Sequence, residues 1–273
     1  IEEEDALLLQ TPASLHARFR LDVRIASEVE SINPSAKTIL VKNELSGESY
    51  ELSYDKLVLS PGASPVVPPI PGIERAMTLR TVEDVEKIFN RVSQKPANAV
   101  VIGGGFIGVE IAENLIHKGI KTTVVEAATQ LLAPLDPEMA TLVAKEMAKN
   151  HVELHLGASA QEITESTVVL SNGVVLPAEM IILAIGVRPD IKLAKEAGLT
   201  IGTRGGIDVD DFNRTSNPDI YAVGDVAEKT DAIDGSSTLV PLANLANRHG
   251  RVVADHICGK TVRPVKTIGT AIV

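Results

Sequence analysis

The chain has little with which to cross-link itself or to span a bilayer. One cysteine, Cys258, stands in 273 residues, which excludes a disulfide framework within the chain and a zinc site built on several thiolates. A composition without disulfides fits a cytoplasmic protein. Tryptophan is absent and there are only three tyrosines and four phenylalanines, so the core falls to Val, Ile, Leu and Ala. The longest apolar stretch, residues 180–187, is far short of the ~20 residues that cross a bilayer. Positive charge is also short. A net charge of −10 argues against a nucleic-acid partner held through its phosphates and against an anionic membrane surface. What remains is ordinary: 44% hydrophobic and 23% charged residues, the balance of a globular protein, with length for about two domains at roughly 100–200 residues each.

Along the chain, the acidic run Glu2-Glu3-Glu4-Asp5 reads as a solvated face. Thr11-Pro12-Ala13-Ser14 predicts a short helix, with Thr11 as cap and Pro12 in the first position. Between Asp22 and Leu59 the pattern turns to strands: Val23 and Ile25, then residues 38–41, with Ser46-Gly47 as a turn. Residues 65–72 are rich in proline and read as an extended connector. A helix is expected over 81–91, then a strand over 97–102, a glycine cluster, a helix over 106–118 and a strand over 121–125. That is a βαβ unit, the mark of a parallel sheet with helical crossovers. A further helix over 138–149 and a strand over 151–156 follow.

The chain also repeats itself. Residues 54–65 can be laid over residues 178–189: each is an acidic residue, a hydrophobic strand, then Gly (Gly62, Gly186) with Pro three positions on. Each is preceded by strand-like segments around a turn, Ser46-Gly47 or Asn172-Gly173. A duplicated domain accounts for this. Counting back from Gly62 by the interval from Gly103 to Gly186 passes Ile1, so the first copy's phosphate loop is expected upstream, and Ile1 reads as a cut end.

The chemistry concentrates at Gly103-Gly104-Gly105-Phe106-Ile107-Gly108, a G-x-G-x-x-G. The pattern alone is weak. Here it follows an apolar strand and opens a helix, and Glu126 closes the next strand at about the 20-residue spacing of a dinucleotide site. Gly103, Gly105 and Gly108 permit a tight turn and close approach of backbone N–H groups to a pyrophosphate, and the helix N-terminus adds unpaired donors and partial positive charge. A carboxylate at Glu126 accepts from ribose hydroxyls and repels a 2′-phosphate. Ala127-Ala128-Thr129-Gln130 contains no Arg or Lys to hold one. NADH is therefore expected over NADPH.

Residues 215–225, Thr-Ser-Asn-Pro-Asp-Ile-Tyr-Ala-Val-Gly-Asp, resemble the second flavin-binding fingerprint of the pyridine nucleotide-disulfide oxidoreductase family. Ser60-Pro61-Gly62 and Gly186-Val187-Arg188-Pro189 resemble two more of its motifs. Leu59-Ser60-Pro61-Gly62-Ala63, Gly104-Gly105-Phe106-Ile107-Gly108 and Ala246-Asn247-Arg248-His249-Gly250-Arg251 look like the branch of coenzyme A-disulfide reductases, NADH oxidases and polysulfide reductases. The resemblance covers essentially the whole chain. It implies an α/β fold with two dinucleotide-binding domains, a Rossmann-like NAD domain inserted into an FAD domain. The boundaries implied are 1–94 and 214–264 for the incomplete FAD domain, 95–213 for the NAD domain and 265–273 for the start of an interface domain.

It further implies FAD as cofactor, with Ser60, Gly62, Gly224 and Asp225 at the flavin nucleotide and Asp225 on the ribityl chain. Leu242 and Ala243 open a helix facing the flavin pyrimidine edge, although Asn244-Leu245 departs from the family's Gly-Pro. Phe106 matches an aromatic gate over the flavin, or is a helix-packing residue; Glu110 matches a carboxylate near nicotinamide and flavin, or is a solvated one. Ile107 and Gly186 line the nicotinamide nucleotide. The implied activity passes hydride from NADH to FAD and on to a disulfide, polysulfide or oxygen, through a redox cysteine expected upstream. The implied parent is a homodimer acting on a small-molecule electron acceptor. An isolated NADH-binding module without activity, or a ferredoxin- or rubredoxin-type reductase, are the alternatives. His151, Glu153 and His155 share one strand face and read as solvated rather than metal-binding, and Cys258 reads as a buried structural thiol.

Overall fold

A computed structural model describes residues 9–264 and 266–269. The elements run α1 (Pro12–Phe19), β1 (Ser27–Asn33), β2 (Thr38–Asn43), β3 (Ser49–Ser53), β4 (Leu57–Leu59), β5 (Ala63–Pro65), α2 (Val82–Ser93), β6 (Asn98–Ile102) and α3 (Phe106–His117). They continue with β7 (Lys121–Glu126), α4 (Pro137–Lys149), β8 (Glu153–Leu156), β9 (Ala160–Ile163), β10 (Thr167–Leu170), β11 (Val175–Pro177), β12 (Met180–Leu183) and β13 (Val187–Pro189). The chain ends through α5 (Lys192–Glu196), β14 (Ile207–Asp208), β15 (Ile220–Ala222), β16 (Ala227–Thr230), β17 (Ser237–Thr238) and α6 (Ala243–Ile257). Among the described residues no helix is long and apolar enough to cross a membrane. The expected acidic face at residues 2–5 lies outside the described residues.

Two compact units result among the described residues, one built on residues 65–187 and one on residues 9–64, 188–264 and 266–269. The family resemblance implied an inserted domain over 95–213. The first unit takes in residues 65–94 as well, because Met77 bridges to Ile182 and Ile163 N–H donates to Pro71. Residues 188–213 fold with the second unit, where Ala194, Leu199 and Ile207 join its core.

In the first unit, parallel strands lie in the order β12-β6-β7-β8. Successive side chains of a strand face opposite ways, and both faces of β12, β6 and β7 are buried. Ala99, Val101, Val124, Met180 and Ile182 face a helical layer with α3 and α4. Val100, Ile102, Val125, Ile181 and Leu183 face the antiparallel sheet β9-β10-β11. This is why β6 and β12 read as apolar runs, as parallel strands covered on both sides do. The chain leaves β6 for β7 on one side and has β12 on the other, so the end of β6 is a topological switch point, where α/β sheets bind ligands.

The second unit holds the antiparallel sheet β1-β2-β3, the parallel pair β15-β4 and the small sheet β14-β16-β17. Ile32, Leu59, Ile207, Ile220, Ala222 and Val226 form its core. Tyr221, Val223 and Val253 form a second cluster under α6.

The sequence repeat has a structural counterpart. β4 and β12 end at matching positions, although β12 begins one residue earlier; Gly62 and β5 match Gly186 and β13, and both glycines have positive φ (73° and 114°). Each copy follows a three-stranded antiparallel sheet whose last turn carries Gly47 or Gly173 at positive φ.

Thr11 caps α1 in a capping box with Ser14, and Pro12 begins the helix. Two expectations fail nearby and at the far end. Val23 and Ile25 are exposed and precede the sheet, because Ala26 takes φ 47° and the chain turns before Ser27. Cys258 is exposed rather than buried. The buried stripe of α6 is Leu245, His249 and Val253, and Cys258, five residues beyond Val253, falls off that stripe, at the helix end.

Candidate functional site

The first unit presents the turn from β6 into α3. Gly103 adopts φ 116°, and a Cβ there would lie 2.3 Å from the Ala184 carbonyl oxygen. A Cβ at Gly108 would lie 1.9 Å from the Gly103 oxygen. Both positions therefore admit only hydrogen, one for the turn and one for close packing of α3 on the strand end. At Gly105 a Cβ would meet nothing within 4 Å. That open space lies at the N-terminus of α3, for which Gly105 is the cap residue and offers no side chain. The helix thus starts with backbone donors uncovered, beside room for a ligand, with no carboxylate in its first turn. A pyrophosphate fits such a cradle.

Glu126, at the end of β7, is half-buried. Its Oε2 accepts from Gly104 N–H at 2.6 Å and its Oε1 from Ala128 N–H at 2.7 Å. Phe106, Ile107 and Glu110 sit on the first turns of α3 and all are exposed at their surfaces, Phe106 at 36%. Asn114 caps back onto the Glu110 carbonyl, leaving the Glu110 carboxylate in solvent. Gly186 follows β12; a Cβ there would meet nothing within 4 Å, and Ile185 and Val187 are exposed beside it. Gly103, Gly105, Phe106, Ile107, Gly108, Glu126 and Gly186 thus all lie at or beyond the C-terminal ends of β6, β7 and β12.

The second unit gathers another set. β4 and β15 run parallel, and Val223 N–H extends the pairing to Leu59. Ser60 and Gly62 leave the end of β4, and Gly224 (φ 76°) and Asp225 leave the end of β15. Asp225 is half-buried and has no hydrogen-bonding or ionic partner among the described residues, so its carboxylate is available to a donor. Gly224 packs against Ala246 in the first turns of α6, where a Cβ on the glycine would lie 3.7 Å from that of the alanine. Leu242 is the N-cap of α6 and Ala243 its first residue, again without a side-chain cap. Asn244-Leu245 sits within the helix, where the Asn244 side chain accepts from Leu245 N–H.

Sequence reasoning missed the buried polar groups of this unit. Glu228 is 1% exposed and accepts from Arg204 and Gly206 N–H and the Ser237 hydroxyl. Burial pushes this carboxyl upward, but those hydrogen bonds outweigh it and hold the group below its ordinary value. Lys229, on the next position and the opposite face, donates to Asn213 Oδ1 and the Asp211 carbonyl, and burial lowers its pKa. His249 is 3% exposed and neither ring nitrogen has a partner. Burial, then Lys229 and Arg248, push it down to about 4. No pattern of spacing marks these residues, because each owes its burial to strands distant in sequence.

His155 and Glu153 pair at 2.9 Å, while His151 lies before β8 with φ 66°, outside the strand it was expected to share. Among the described residues no group of three metal-ligating side chains occurs.

Each unit thus presents a strand end followed by a glycine turn, at β6 in the first and at β4 and β15 in the second. The pyridine nucleotide-disulphide oxidoreductase family matches residues 4–250, and the chain belongs to that family. It is 34% identical to an NADH oxidase of Methanocaldococcus jannaschii, covering 100% of this chain and 62% of that protein. A coenzyme A disulfide reductase of Staphylococcus aureus is 31% identical, over 95% of this chain and 59% of that one. The crystal structure of reduced CoADR-RHD from Bacillus anthracis superposes with a TM-score of 0.94 at 47% identity, over 97% of this chain and 49% of that one. The chain thus spans about 60% of the length of the curated relatives it matches. The fold is the α/β, two-dinucleotide-binding-domain flavoprotein fold.

Proposed function

We propose that this chain carries the nicotinamide-nucleotide site and part of the flavin site of an FAD-dependent NAD(P)H oxidoreductase that reduces a disulfide, polysulfide or oxygen. The observation that carries the reading is the β6–α3 turn, where Gly103 and Gly108 have no room for a side chain and Gly105 has open space before uncovered helix donors. In this reading the N–H groups at the start of α3 hold the pyrophosphate, and Glu126 takes the adenosine ribose hydroxyls. A 2′-phosphate would face that carboxylate with no cation at 127–130 to offset it, so NADH is preferred over NADPH. Phe106, Ile107, Glu110 and Gly186 border the nicotinamide end.

For the flavin, Asp225 offers an unengaged carboxylate to ribityl hydroxyls, and Ser60, Gly62 and Gly224 leave strand ends without bulk. The N-terminus of α6 at Leu242 and Ala243 stabilises negative charge brought near it. When bound, FAD supplies the two-electron step between nicotinamide and acceptor. The names of the relatives support the class of acceptor.

A second reading, that this chain alone is an NADH-binding module, rests on its spanning only 59–62% of those relatives. The test is purification of the chain with FAD added, followed by visible absorption and NADH consumption with disulfide, polysulfide or oxygen. A flavin band with NADH consumption supports the oxidoreductase in this chain. NADH binding with neither supports the module, and no binding of NADH overturns both.

A further inference from the structure

We infer that Glu126 is a positioning residue for the phosphate loop as well as a ribose acceptor, and that it assembles the loop before any nucleotide arrives. This rests on the reading of the β6–α3 turn as a nicotinamide-nucleotide site.

The peptide of Gly104 is held from both sides. Its N–H donates to Glu126 Oε2 at 2.6 Å, and its carbonyl accepts from Leu132 N–H at 2.8 Å. A Cβ on Gly104 would lie 2.6 Å from Leu131 Cδ2 and 3.1 Å from Glu126 Cβ, so the loop lies flat against these two side chains. The second carboxylate oxygen of Glu126 takes Ala128 N–H at 2.7 Å, and the Ala128 carbonyl in turn accepts from Gly157 N–H at 2.8 Å. The Glu126 carbonyl accepts from Ala158 N–H at 3.1 Å. One residue therefore ties the glycine turn, the segment after β7 and the segment after β8 to one another.

Bonds from N–H to a carboxylate are the strong kind, and both are made between groups of the chain itself. Each carboxylate oxygen keeps a second lone pair for a ribose hydroxyl, so the two roles do not compete. It follows that exchanging Glu126 to admit a 2′-phosphate also loosens the loop, and weakens every nucleotide that uses it.

The discriminating ligand is NADH whose adenosine ribose lacks its 2′- and 3′-hydroxyls. Glu126→Gln keeps size but has one oxygen, so its amide nitrogen opposes one of the two N–H donors; Glu126→Ala removes both acceptors. We expect the dideoxy nucleotide to bind either variant about tenfold more weakly than it binds the wild-type chain, the size of effect that loss of a hydrogen bond to a charged group produces. Equal binding of the dideoxy nucleotide by variants and wild type, with NADH alone weakened, overturns the inference. If a variant melts before it can be titrated, amide hydrogen exchange in the nucleotide-free wild type decides: slow exchange at Gly104 and Ala128 supports the clasp, and exchange at the rate of open loops overturns it. Failure of the wild type to bind NADH would overturn the site reading itself, and the same exchange measurement would still judge the clasp.

Discussion

His249 shows how a single side chain writes a pH dependence into the fold. Buried on α6 with no hydrogen-bond partner, beside Lys229 of β16 and Arg248 of its own helix, it is held to about 4 in the folded chain. Unfolded, it titrates near 6.5. The unfolded state therefore binds the extra proton between those values, and stability falls as pH drops from about 6.5 towards 4, by about 3 kcal/mol at most. Thermal melts over this window should show that slope, and His249→Leu should flatten it; an unchanged slope would mean that His249 is not its source. Glu228 acts in the same direction lower down. Its depressed pKa gives stability that is present above the ordinary carboxylate range and lost as pH falls through the folded value. Glu228→Ala leaves the Arg204 and Gly206 N–H donors without their acceptor and should lower the melting temperature at neutral pH, with a cost of about 3 kcal/mol. Neither role was legible in the amino-acid pattern. His249 lies within a motif valued for other reasons, and Glu228 reads in sequence as one more solvated acid.

At the scale of elements, the β6–turn–α3 unit was legible almost to the residue, because three independent signals coincide there: an apolar strand, glycines with no alternative, and a helix start. The strand ends were less so. Val23 and Ile25 have the composition of a strand, but the positive φ of Ala26 breaks the register before it begins, and no residue type announces an alanine in that conformation. Cys258 reads as buried because the stripe of α6 runs close to it, and its exposure depends on where the helix stops. The glycines of the turn give a paired prediction. Gly108→Ala places a methyl group against the Gly103 carbonyl at 1.9 Å, so the variant should melt several degrees lower and lose nucleotide binding. Gly105→Ala meets nothing and keeps an extended cap conformation (φ −80°). It should fold and melt like wild type while binding nucleotide at least tenfold more weakly, as its methyl group takes up ligand space. Calorimetric melts with nucleotide titration separate the two. Equal behaviour of both variants would contradict the distinct roles assigned to the glycines.

For the whole molecule, the repeat in sequence proved informative beyond its length. Residues 54–65 and 178–189 share strand ends and a positive-φ glycine in the same place, so the duplication was legible in the order of residue types alone. Domain limits were not, since residues 65–94 and 188–213 join their units through scattered core side chains, bridges and loop hydrogen bonds that no composition shift marks. Nucleotide binding at the β6–α3 turn, with NADH selected through Glu126, is the central proposal for the first unit. Calorimetric titration of the purified chain with NADH and with NADPH tests it directly. The expected result is saturable binding of NADH, with NADPH bound at least tenfold more weakly; equal or tighter binding of NADPH would contradict it.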